Sequence, residues 1–176
     1  QGGIVNTKGA IIYDAMSFKT PQLMVDRKAI YSKLVFGELP VSSWNKLIRR
    51  DFLKENSIDF YEGVIHEDVD FLYKLAAHVT SFALCPVITY CYRIQREGSI
   101  LSTTNDDRST QSRILVYNAC LDKKMKMPFR KLLTRSIFLR LIFVLQTAHV
   151  SHNLRYSFNT LCWRTVHEAS GMDGFW

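Results

Sequence analysis

The feature that most constrains the fold is a helix signature over residues 67–79. Phe71, Leu72, Leu75, Ala76 and Val79 recur three or four residues apart, which lines one helix face with apolar side chains. Around its start, in the stretch EGVIHEDVDF, sit Glu62, Glu67, Asp68 and Asp70. A helix opening at His66–Glu67 carries Glu67 and Asp68 in its first turn, where free N–H groups and the helix dipole favour negative charge. Local electrostatics alone therefore accounts for two acids. The same physics suits a general base. A carboxylate fixed at a helix start and facing a cleft can take a proton from a substrate hydroxyl; the dipole keeps it ionised, and burial by substrate raises its basicity. A metal pair is also open, because His66 and Asp70 lie four apart and can share a helix face. Residues 66, 67 and 68 point about 100° apart and cannot all chelate one ion.

Other helix signals flank this one. Ala29, Ile30, Lys33 and Leu34 recur at helical spacing, with Gly37 as a stop and Pro40 beyond it. VSSWNKLIRR reads as a strand or extended segment running into a turn, and RDFLKENSI as a short helix burying Phe52, Leu53 and Ile58. GAIIYDAMSF is strand-like, as are 81–84 and 87–94, which are rich in β-branched and aromatic residues and broken by Pro86. QREGSILSTTNDD is polar and loop-like. Beyond residue 107 the pattern is helical over 108–122, 129–149 and 154–169, with Pro128 suited to a first turn. The layout is mixed α/β to about residue 100, followed by an all-helical tail.

Composition narrows the class. The 176 residues are 47% hydrophobic and 22% charged, enough for one domain with a real core and unlike a disordered chain. No apolar run is long enough to span a membrane, and no secretory signal opens the chain. A reducing compartment is therefore expected. Cys85 and Cys91 are expected to be small buried residues, and the absence of a C-x-x-C pair argues against a zinc ribbon. The net charge of +7 is uneven: residues 1–100 carry 12 Lys/Arg against 11 Asp/Glu, and residues 101–176 carry 11 against 5. The two parts are expected to do different jobs.

The strings SSWNKLIRRDFLKENSIDFYEGVIHEDVDF (42–71) and YCYRIQREGSI (90–100) resemble the C-terminal half of the catalytic domain of inverting family 2 glycosyltransferases, which have the GT-A fold. The likeness runs from about 38 to 102. It covers an Asn-Lys-Leu segment, an arginine-bearing turn, a Phe-x-Glu-Gly step, a Glu-Asp pair opening a helix, and a Tyr-x-Tyr-Arg strand leading into a Ser-Ile loop.

The resemblance implies an α/β fold: the acceptor-side half of a GT-A (nucleotide-diphospho-sugar transferase) domain over 1–102, with an all-helical basic extension over 103–176. It implies that Asp68 is the general base, deprotonating an acceptor hydroxyl that attacks the anomeric carbon of a nucleotide-sugar with inversion. Glu67 would orient the acceptor or hold the helix start. Trp44, Asn45 and Lys46 match the segment lining the cleft. Trp44 would stack on a sugar ring or sit in the core, and Lys46 would offset phosphate charge or lie at the surface. Arg93, Arg96 and Ser99 match the strand end and loop that close over a diphosphate, a task suited to the planar guanidinium fork. Arg49 and Arg50 are expected to be solvated or paired. Tyr90 and Tyr92 are assigned to packing, Asp70 to the helix surface, and His66 to no defined role. Expected partners are a nucleotide-sugar donor and a glycan or lipid-linked acceptor of the cell envelope, and no nucleic acid.

The family's Asp-x-Asp motif, which holds Mg²⁺ or Mn²⁺, is absent. Asp68-Val69-Asp70 has the spacing but falls at the base position, and NDD at 105–107 comes after the matched region. With Gln at position 1, the expectation is a fragment without the donor half and without a metal site of its own. An uncovered strand edge would then favour self-association. The segment 123–149 admits three readings. Lys123, Lys124, Lys126, Arg130, Lys131, Arg135 and Arg140 lie within 123–140 with no acid, interleaved with Leu, Ile and Phe. They suit a packed helix with solvated cations, an interfacial helix on an anionic membrane surface, or less well a nucleic-acid contact, for which no motif is present. The second reading fits a cytoplasmic enzyme peripheral at the inner membrane face. The alternative to a transferase fragment is a non-catalytic module that binds a partner chain or an anionic surface. The chain 1–176 by itself is expected to transfer no sugar and to show no Mn²⁺-dependent binding of uridine diphosphate; tight metal-dependent binding in a calorimetric titration would contradict this.

Overall fold

In a computed structural model, residues 2–5, 11–14, 20–86, 90–93, 107–122, 129–147 and 151–170 are described. Among these residues six helices dominate: α1 (Arg27–Val35), α2 (Arg50–Glu55), α3 (Glu67–His78), α4 (Asp107–Leu121), α5 (Arg130–Thr147) and α6 (His152–Ser170). Five strands of three or four residues accompany them: β1 (Gly2–Val5), β2 (Ile11–Asp14), β3 (Gln22–Met24), β4 (Phe82–Leu84) and β5 (Tyr90–Arg93). β1 lies between an antiparallel β2 and a parallel β5, while β3 and β4 form a separate antiparallel pair with Leu23 opposite Ala83.

This overturns the expectation of an α/β half of a GT-A domain. The protein is mostly helical, and the reason lies in where the core sits. Its buried members come from α1 (Ile30, Tyr31, Leu34, Val35), α3 (Leu72, Tyr73, Leu75, Ala76), α4, α5 and α6. From β3 and β4, Met24, Phe82 and Leu84 pack against it, partly buried. Strands this short present too little apolar face to organise a core, whereas the three helices beyond residue 107 each carry a long one. α3 packs against both α1 and α4, and α5 against α1 and α6, so the core runs across residue 102 without a break.

Local chemistry explains the helix limits. The Asp26 carboxylate accepts from the amides of Lys28 and Ala29 at 2.9 and 3.1 Å and caps α1. Gly37, at φ 80°, ends it in the left-handed conformation that glycine adopts freely. The free carbonyls at helix C-termini are met by arginines. Arg140 donates to Val35 O at 3.2 Å at the end of α1, joined there by Ser136 Oγ at 2.5 Å. Arg27 donates to Ala77 O at 2.8 Å near the end of α3. Arg130 at 2.5 Å and Arg164 both donate to Leu121 O at the end of α4. Each places positive charge at the negative pole of a helix.

Several smaller expectations change. Residues 43–45, read as extended, form a single turn of 3-10 helix. Phe52 and Leu53 are half-buried and only Ile58 is fully covered. Cys85 is exposed, not buried, because it follows the last residue of β4 rather than lying inside a sheet. Residues 87–89, the loop from 94 to 106 and Pro128 lie outside the described residues. Leu72 has no exposed surface, so Leu72→Ala is expected to lower stability by about 2–5 kcal/mol. Lys54→Ala, on an exposed position of α2, should change it by about 0.5 kcal/mol or less. Urea denaturation of both variants checks the contrast.

Candidate functional site

The N-terminus of α3 is built by the turn before it. Gly63 and His66 both take positive φ, 79° and 70°, which folds residues 62–66 back before the helix opens. Two serines one turn apart on α4 fix that turn: Ser112 Oγ accepts from the Ile65 amide at 3.1 Å, and Ser109 Oγ lies 2.8 Å from His66 Nε2. Burial, and then the Arg113 charge, press the His66 pKa down to about 4, so its ring is neutral at neutral pH. His66 is thus a structural anchor for the helix start. Sequence reading left it without a role because its partners lie more than forty residues away.

Asp68 sits in the first turn of α3, as its spacing predicts. Its pKa is raised above the usual carboxylate range. Burial is the largest cause and the neighbouring Glu67 charge the second; the amides of Val69 and of Asp68 itself, and the Lys46 ammonium, work the other way. In the structure the protein itself already desolvates the carboxyl, and that outweighs the N–H groups. Glu67 beside it is exposed.

The second part of the site is the 40–46 loop. Its 3-10 turn packs against α3. Lys46 Nζ donates to Pro40 O at 2.5 Å, Ser42 O at 2.7 Å and Asn45 Oδ1 at 2.9 Å. All three ammonium protons are therefore engaged inside the loop, and Lys46 is neither a surface charge nor free to meet a phosphate. Its half-buried position lowers its pKa to about 8, against the opposing pull of Asp68. Trp44 stacks on Tyr90 of β5, centroids 4.5 Å apart and planes at 28°. Tyr90 is exposed, so it extends an aromatic surface rather than filling the core.

Lys46 and Asp68 are thus brought together, and the turn that carries Trp44 and Asn45 packs against the same helix. Arg93 ends β5 with its backbone in register with Val5, while Arg96 and Ser99 lie outside the described residues. Arg49 and Arg50 are exposed. Asp70 is corrected: it is a buried acid, 1% exposed, paired with Lys74 at 2.6 Å one helical turn on and 4.0 Å from Cys120 Sγ. It is not a surface acid, because the buried face of α3 is wider than the apolar stripe of five residues. With Asp70 turned inward and His66 turned to Ser109, the two do not form a metal pair. Among the described residues no group of three His, Cys, Asp or Glu side chains could hold a metal ion. A cavity of about 400 Å³ lies elsewhere, between the end of α1 and α5.

Compared with protein-family models, curated proteins and solved structures, the chain matches none.

The His66 pKa supplies a test of the anchor. A histidine lowered from 6.5 to about 4 binds fewer protons folded than unfolded, so its contribution to stability is lost as pH falls from about 6.5 to about 4. In His66→Asn, whose side chain tolerates positive φ, that component disappears. Urea midpoints of wild type should fall relative to the variant across this window and run parallel above it.

Proposed function

We propose that this chain is the acceptor-side part of an inverting sugar transferase that draws on a nucleotide-sugar donor, with Asp68 as the general base. The observation that carries the reading is the meeting of two separate pieces of sequence, Trp44–Lys46 and Glu67–Asp68, around one desolvated carboxyl at a helix start. A base needs a proton affinity near the working pH, and burial moves Asp68 in that direction.

In the proposed step the Asp68 carboxylate accepts the proton of an acceptor hydroxyl. The oxygen forms a bond to the anomeric carbon from the face opposite the leaving group, the carbon–oxygen bond to the nucleoside diphosphate breaks, and the configuration inverts. Glu67, exposed beside it, orients the acceptor. Lys46 acts through position: it ties residues 40–46 into a rigid loop against α3 and limits how far the Asp68 pKa rises. Trp44, backed by Tyr90, offers a flat apolar surface of the kind sugar rings stack on. Arg93 stands at the strand end for the diphosphate. The described residues supply no donor set for a metal, and no step is assigned to one.

The test is Asp68→Asn in a transferase that carries this segment behind a nucleotide-binding region, assayed with mixed nucleotide-sugar donors. The amide keeps the shape and removes the base. Transfer should fall about a hundredfold to ten-thousandfold while donor affinity stays unchanged. An unchanged rate would remove Asp68 from the chemistry.

A further inference from the structure

The outer face of α5 carries a row of exposed side chains. Lys131, Arg135, Leu139 and Phe143, each four residues after the last, are all exposed, and the two apolar members strongly so at 55% and 62%. Residues four apart are neighbours along a helix surface, so the row passes from cationic to apolar while turning about 120° around the helix. Phe36, just past the end of α1, is exposed beside it. It lines, with Val41, Leu139 and Phe143, the cavity of about 400 Å³, at whose edge Arg140 is bonded to Val35 O. No acid occurs between 123 and 140.

We propose that this face docks on an anionic phospholipid surface. Leu139, Phe143 and Phe36 enter the boundary between headgroups and acyl chains, the cavity among them receives part of a lipid tail, and Lys131 and Arg135 meet lipid phosphates. Charge complementarity selects this occupant. A purely apolar partner would leave the two cations unmatched, whereas an anionic interface matches both ends of the row. The contact is interfacial, since among the described residues no helix is long and apolar enough to cross a membrane.

The experiment uses the chain 1–176 and vesicles of phosphatidylcholine, alone or mixed with phosphatidylglycerol. Co-sedimentation should favour the mixed vesicles by about tenfold and weaken as salt is added. Leu139→Glu with Phe143→Glu should abolish binding without changing the circular dichroism spectrum. Lys131→Glu with Arg135→Glu should erase the preference for anionic vesicles. A Phe143→Trp variant reports insertion directly, through quenching by brominated lipid. Equal binding to both vesicle types, full binding by Leu139→Glu with Phe143→Glu, or an unquenched Trp at 143 would overturn the proposal. So would a dimer in lipid-free solution that the same glutamates dissociate, which would assign the face to a second copy. No arm depends on sugar transfer, so failure here leaves the role of Asp68 standing.

Discussion

Eight of the twelve residues of α3 are withdrawn from water, and one of them is an acid. A helix covered on so many sides cannot rest on a surface; it has to be enclosed, and α1 and α4 enclose it. The buried Asp70 is tolerable because Lys74, one turn on, brings its ammonium to 2.6 Å while remaining partly exposed, where it also donates to Asp59 O at 3.1 Å. Once α3 is fixed along its length, the position of its first turn is fixed as well. The carboxyl of Asp68 owes its environment to apolar contacts made by Leu72, Tyr73 and Ala76 further along the helix.

Two loops then complete the site, and hydrogen bonds to named partners fix each of them. The turn at 62–66 is pinned by two serines of α4. The loop at 40–46 is gathered around one ammonium whose three protons all point at its own oxygens. The effect on acidity is mutual. Lys46 limits how far the Asp68 pKa rises, and Asp68 limits how far that of Lys46 falls. Burial moves the acid up and the ammonium down, so the two lie closer in proton affinity than they do in water.

Helix positions were legible in the sequence because they depend on periodicity. The expectations of 108–122, 129–149 and 154–169 differ from α4, α5 and α6 by two residues or fewer at each end, and the stripe from Phe71 to Val79 is buried as its spacing requires. Fold class was not legible in the same way. Strand-like composition identified β4 and β5, but it cannot tell which elements carry the core, and the core residues described here come chiefly from the helices. Side-chain partners were hidden for a related reason. The place of His66 depends on Ser109, that of Asp70 on the width of the buried face, and that of Lys46 on carbonyls, which no residue name reveals.

The net charge of +7 shows how composition and placement part company. Read as a string, the basic segment invites a phosphate-bearing partner for every cation. In the fold, Arg27, Arg130, Arg140 and Arg164 all point at the last carbonyls of helices, where chain polarity leaves acceptors unpaired and the dipole is negative. A chain that ends several helices against one another needs such donors, and arginine reaches them with a planar fork while burying its stem. These four of the 23 Lys and Arg residues therefore stabilise helix termini and are spoken for before any partner arrives. Only cations that face outward, such as Lys131 and Arg135, remain to meet a charged surface, and their worth there depends on the apolar side chains that share their row.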